Sequence, residues 1–86
     1  MMEILILKDG TELEGHVLPN GDGRTIFVYL DGMSLMDGFA IFSDKSRISV
    51  IRELSHGEEH IYEGFTEITA ISSEYGNCNI TMKKVM

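Results

Sequence analysis

The chain has 86 residues, 43% hydrophobic and 24% charged, with seven Lys and Arg against fourteen Asp and Glu for a formal charge of −7. A chain of this length buries only about 60–65% of its unfolded surface, so residues 1–86 are expected to form a single domain around one modest core; doubly wound sheets and TIM barrels are excluded. The charge argues against nucleic acid, because seven acids and two bases fall in residues 1–43, seven acids and five bases in residues 44–86, and Lys83-Lys84 is the one adjacent basic pair.

The opening MMEILILKDG carries an acid at Glu3, no basic leader and no small-residue cleavage site. It reads as a first β-strand, not as a signal peptide or a membrane span. Asp9-Gly10 separates the apolar run Ile4 to Leu7 from Thr11 to Leu18, in which Glu12, Glu14 and His16 alternate with Leu13, Gly15 and Val17. That is the pattern of a hairpin with one solvated face. Pro19 to Gly23 breaks it, and Thr25 to Leu30, β-branched and aromatic, predicts a central strand buried on both faces.

The single predicted helix is Ser34 to Phe42. Ser34 with Asp37 resembles a capping box, and Leu35, Met36, Phe39, Ala40 and Phe42 recur at helical steps. Gly38 weakens that helix by about 1 kcal/mol relative to alanine. Packing of Leu35, Phe39 and Phe42 against Ile26, Val28 and Ile48 is expected to hold it. The period then returns to two: Arg47 to Leu54 predicts a strand, Ser55 to Glu59 a polar turn, and His60 to Phe65 the returning strand. Glu67 to Ser72 continues or restarts it after a bend at Gly64; Glu74 to Asn79 is a turn, and Ile80 to Val85 the last strand. The fold class expected is α+β: a mostly antiparallel, curved sheet or partly open barrel with one short helix, in the order βββ-α-βββ with room for a seventh strand.

Two features invite chemistry. His56-Gly57-Glu58-Glu59-His60 matches H-x-x-E-H, in which two histidines one helical turn apart share a zinc ion and the glutamate acts on bound water. Here Gly57 and the flanking strand patterns put the segment in a hairpin turn, so no metal ligand, cofactor or catalytic residue is assigned; a small metal-dependent hydrolase remains an alternative. Cys78, the one cysteine, cannot form an internal disulfide and has no Lys, Arg or second Cys beside it in sequence. It therefore points to a reducing, cytoplasmic setting and not to a catalytic thiol.

The segment Ile6-Leu-Lys-Asp-Gly-Thr-Glu-Leu-Glu-Gly-His-Val-Leu18 resembles the opening of the Sm-like RNA-binding proteins, a strand, a DG turn and a strand carrying Gly15. The likeness implies an RNA-binding ring. The following PNGDGRTIFVYL lacks their Asp-x-x-x-Asn element, and the C-terminal half lacks their Arg-Gly signature. A wider resemblance joins Asp9-Gly-Thr-Glu-Leu13, Thr25 to Leu30, Ser34-Leu35 with Phe42-Ser-Asp44, and Ile61-Tyr-Glu-Gly-Phe-Thr-Glu-Ile68. Together these are similar to short proteins encoded among the tail and head genes of phages and prophages of Gram-positive gut bacteria. That resemblance implies a non-enzymatic structural or assembly role, virion-associated if the chain is phage-derived.

The function expected is therefore a protein-interaction module, acting by self-association or through a protein partner, with no membrane, nucleic-acid or small-molecule ligand. Tyr62 and Phe65 are expected near an open sheet edge that Glu63 and Glu67 blunt by charge.

Overall fold

Short-range turn chemistry decides where the strands begin. Asp9 Oδ1 accepts from the Thr11 N–H at 3.0 Å and from its hydroxyl at 2.7 Å, and the Gly10 N–H closes the turn on the Leu7 carbonyl at 2.9 Å. Asp22 does the same before the third strand, accepting from the N–H groups of Arg24 and Thr25. The pairs His56-Gly57 and Tyr75-Gly76 take positive φ at both residues, 52° and 78°, 53° and 78°. That is the two-residue hairpin geometry whose twist matches that of the strands.

A computed structural model describes residues 3–85; Met2, part of the opening apolar run, lies outside them. The elements are β1 (Ile4–Leu7), β2 (Glu12–Pro19), β3 (Thr25–Leu30), α1 (Leu35–Phe42), β4 (Val50–Ser55), β5 (Glu58–Glu63), β6 (Glu67–Glu74) and β7 (Asn77–Lys83). The fold is α+β. Seven strands form one curved, unclosed sheet in the order β5-β4-β1-β2-β3-β7-β6, every neighbouring pair antiparallel.

Strand β2 belongs to both halves of that sheet. Its first residues pair with β1, Leu13 facing Leu5, and from Gly15 onward it pairs with β3, Gly15 facing Leu30. A Cβ at Gly15 would run into the Tyr29 carbonyl oxygen. The glycine lets the two backbones approach there and the sheet turn inward.

The inner face carries Leu5, Leu7, Leu13, Val17, Ile26, Val28, Leu30, Ile51, Cys78, Ile80 and Met82, covered by Phe42 of α1 and by Ile48. Ser34 caps the helix, its Oγ accepting from the Asp37 N–H at 3.1 Å as the capping pattern requires.

Five expectations need correction. Strand β5 is Glu58–Glu63, not His60 to Phe65, since His56-Gly57 alone makes the turn and Ser55 already pairs with Glu58. Phe39 is not core: it is 52% exposed and Leu35 38%, while Gly38 and Phe42 are the buried residues of the helix. Strand β4 starts at Val50, not Arg47, because Asp44 holds residues 44–48 in a turn, accepting from the Ser46 and Arg47 N–H groups through Oδ1 and from Ile48 through its carbonyl. Strand β7 starts at Asn77, since Tyr75-Gly76 alone suffices for the turn. And β3, although central, keeps Phe27 and Tyr29 half-buried on the outer face, where His16 stacks on Tyr29 at 4.9 Å.

Candidate interaction surface

Helix α1 reads LMDGFAIF, with Asp37 as its one charged residue, so two of its faces are apolar. Which face docks is decided by Gly38. A Cβ there would lie 2.5 Å from Cys78 Sγ, 3.3 Å from Cys78 Cβ and 3.7 Å from Leu30 Cδ1, so the helix backbone rests directly on the Leu30–Cys78 pair of β3 and β7. Phe42, one turn on, and Ile41 point the same way into the core. By the same spacing Met36, Phe39 and Ala40 are turned outward; Met36 is 79% exposed. At the end of the sheet where α1 begins, the β6–β7 turn presents Tyr75, almost fully exposed, and the Asn77 side chain accepts from the Gly32 N–H at 3.0 Å. A helix of eight residues thus offers a second apolar face that nothing among the described residues covers, where soluble domains usually scatter such side chains singly.

The two sheet edges are the other open surfaces. Among the described residues no strand pairs with the outer side of β5 or of β6. Tyr62 lies on the β5 edge, as expected, but Phe65 is buried in the link between the two edge strands. There it meets Tyr62 edge-on at 6.4 Å, and Lys84 Nζ sits 5.6 Å from its ring centre. Strand β6 is a full edge strand of its own and not an extension of β5: the chain bends at Gly64, φ 84°, and β6 pairs with β7 at the opposite margin of the sheet.

The histidines of the HGEEH segment fall in that second hairpin. His56 occupies the turn and His60 an exposed position on β5, with His60 Nε2 3.9 Å from Glu58 Oε1. They are not one helical turn apart, and among the described residues no group of three or more His, Cys, Asp or Glu side chains could hold a metal ion. Glu59 instead pairs with Arg52 on the neighbouring strand.

One polar feature escaped the sequence reading. Glu53 points inward and is only 5% exposed; its Oε2 accepts from the Val17 N–H at 2.7 Å, beyond the part of β2 that β1 covers. The signal was present in the alternation, since Ile51 and Glu53 must share a face. Burial, with the Glu53 charge second, holds the Tyr62 phenol above its ordinary value of 10.0. Burial likewise pushes the Cys78 thiol above 9.0, where it is a poor nucleophile.

Among the described residues no helix is long and apolar enough to cross a membrane. Comparisons of the chain with protein-family models, with curated proteins and with solved structures return no match.

Proposed function

We propose that the domain is a non-enzymatic protein-interaction module. The observation that carries this reading is the outward apolar face of α1: Leu35, Met36 and Phe39 stand exposed on a helix already anchored by Gly38 and Phe42. Exposing such a stripe lowers solubility unless a partner covers it. Aromatic residues and methionine are the types enriched where proteins meet. The inner face of the sheet is filled by core side chains, which leaves the outer surface as the place where a partner would meet the fold. The setting that the segment resemblances support is the assembly of phage or prophage particles, and the lone buried Cys78 suits a reducing compartment.

The test is a photo-crosslinking residue placed at position 36, irradiated in the native host and followed by identification of the adducts. One dominant protein partner, lost when Phe39→Ser is added while the melting temperature stays within a few degrees, supports the reading. A partner from the head or tail genes supports the setting. Adducts spread over abundant cytosolic proteins, unchanged by Phe39→Ser, would sink it.

A further inference from the structure

The outer face of the sheet, on the side away from α1, carries two rows of side chains fixed by the ladder. Residues opposite each other share a face, so Phe27, Thr81 and Ala70 form one row across β3, β7 and β6, and Tyr29, Asn79 and Ser72 form the next. Side-chain height falls along both rows, from aromatic rings on β3 to small residues on the edge strand. The result is a trough of about 130 Å3, walled by Phe27 and Tyr29, floored by Asn79 and Thr81, and low on the β6 side.

Tyr29 is a wall set in advance. His16 of β2 stacks on it with ring centres 4.9 Å apart and planes 22° from parallel. That stacking covers the ring face turned toward β2, so the face that lines the trough is the opposite one, toward Asn79. A ring held upright before a ligand arrives removes part of the ordering cost of binding. The polar groups of the trough are free. Asn77, two residues earlier on the same face of β7, gives its side-chain oxygen to the Gly32 N–H, and the Thr81 carbonyl takes the Thr69 hydroxyl. The Asn79 amide and the Ser72 and Thr81 hydroxyls have no such partner among the described residues, and none of those that line the trough is charged.

This chemistry narrows the occupant. An anion meets no Lys or Arg in the lining and a chain of net charge −7, and a cation meets no carboxylate there. The face of the Tyr29 ring is electron-rich and attracts polarised C–H groups. Hydroxyl and amide side chains both donate and accept, and so match hydroxyls, which do the same. A face of C–H groups with a rim of uncharged hydroxyls is the chemistry of a sugar ring. We infer that the outer face of β3, β7 and β6 binds a neutral saccharide, one sugar ring lying against Tyr29 with its hydroxyls on Asn79 and Ser72. A shallow site of this size holds one ring at about millimolar strength. The site goes beyond the reading of the domain as an interaction module, and it lies on the opposite side of the sheet from α1.

Amide-resolved NMR of the nitrogen-labelled chain, titrated separately with cellotriose, maltotriose and the trimer of N-acetylglucosamine, tests this. At least one of the three is expected to shift the Tyr29, Ser72, Asn79 and Thr81 signals saturably and to take up saturation from the protein on its ring C–H protons. Tyr29→Val is expected to weaken that binding about tenfold or more. Ser72→Glu, at an exposed position that leaves the core untouched, is expected to do the same and keeps the test valid if Tyr29→Val does not fold. Three saccharides that leave these signals unmoved, shifts gathered on α1 or β5, or binding that survives Ser72→Glu overturns the inference. So does tighter binding of adenosine or uridine at the same residues. None of these results affects crosslinking from position 36, so failure here and failure of the interaction reading are separable.

Discussion

Replacing Gly38 by alanine sets two effects of known sign against each other. In a solvent-exposed helix interior the change stabilises by about 1 kcal/mol, because alanine loses less backbone freedom. Here the new methyl would stand 2.5 Å from Cys78 Sγ, well inside the contact distance of about 3.5–4.0 Å. Sγ is fully buried and Leu30 fills the space beside it, so the helix must lift by about 1 Å or more. Overpacking of this kind costs about 1–3 kcal/mol. The net expectation is a loss of about 0–2 kcal/mol, up to about 15 °C in melting temperature for a domain this small. With Cys78→Ala in place, the nearest remaining atom is the residue-78 Cβ at 3.3 Å, followed by Leu30 Cδ1 at 3.7 Å. In that background Gly38→Ala is expected to be neutral or stabilising, giving a coupling of about 2 kcal/mol between the two sites. Urea denaturation followed by far-ultraviolet circular dichroism measures all four corners of the cycle. A rise in midpoint on Gly38→Ala in the natural chain, or the same effect in both backgrounds, would mean that α1 does not rest on β7 through this residue.

Three further expectations follow from burial and hydrogen bonding. Phe42→Ala removes a fully buried ring and should cost about 3–5 kcal/mol in denaturant midpoint, while Phe39→Ala, one turn earlier and half exposed, should cost far less; equal losses would reverse the assigned faces. Glu53→Leu strands the Val17 N–H in the interior and should cost about 1–3 kcal/mol by thermal melting, with Glu53→Gln, which keeps an acceptor oxygen, closer to the natural chain. The carboxyls of Asp9 and Asp22 are held below their ordinary 3.8, Asp9 chiefly by the Thr11 hydroxyl and Asp22 chiefly by the Arg24 N–H. Groups lowered in the folded state contribute stability that is present above the unfolded value and lost as pH falls through the folded one, so stability should drop below about pH 4. Asp9→Asn with Asp22→Asn should flatten that part of the pH profile of the melting temperature; an unchanged profile would show that other carboxyls govern it.

The sequence made the turns legible and left the docking ambiguous. Asp9-Gly10, the Ser34 cap and the alternation of β2 each act within a few residues, and each appears where the pattern placed it. The orientation of α1 did not, because LMDGFAIF is apolar on both sides and periodicity cannot choose between two apolar faces. Gly38 held the clue, since a glycine inside a short helix marks the side of closest approach, but its meaning depends on Cys78, forty residues away in the chain. The β6 edge was hidden for a similar reason. Nothing local to Gly64 shows that the chain crosses there from one margin of the sheet to the other, for that follows from β4 pairing with β1 and β7 pairing with β3.

That crossing also shapes how the molecule assembles. Strands β1 to β3 form a meander of neighbours in sequence, which can close within about microseconds, as can the hairpins β4–β5 and β6–β7. Native structure needs these three pieces to meet through Ile4 with Leu54 and Thr25 with Lys83, contacts between distant parts of the chain. Such pairings move folding toward the millisecond-to-second range. Residues 64–66 tie the two hairpins together, so docking of either one against the meander brings the other close to its own margin and shortens the last loop to be closed. Until both have docked, β1 and β3 expose their outer ladders, and the slowest-forming contacts are also the ones that hide these two uncharged strands from other chains during synthesis.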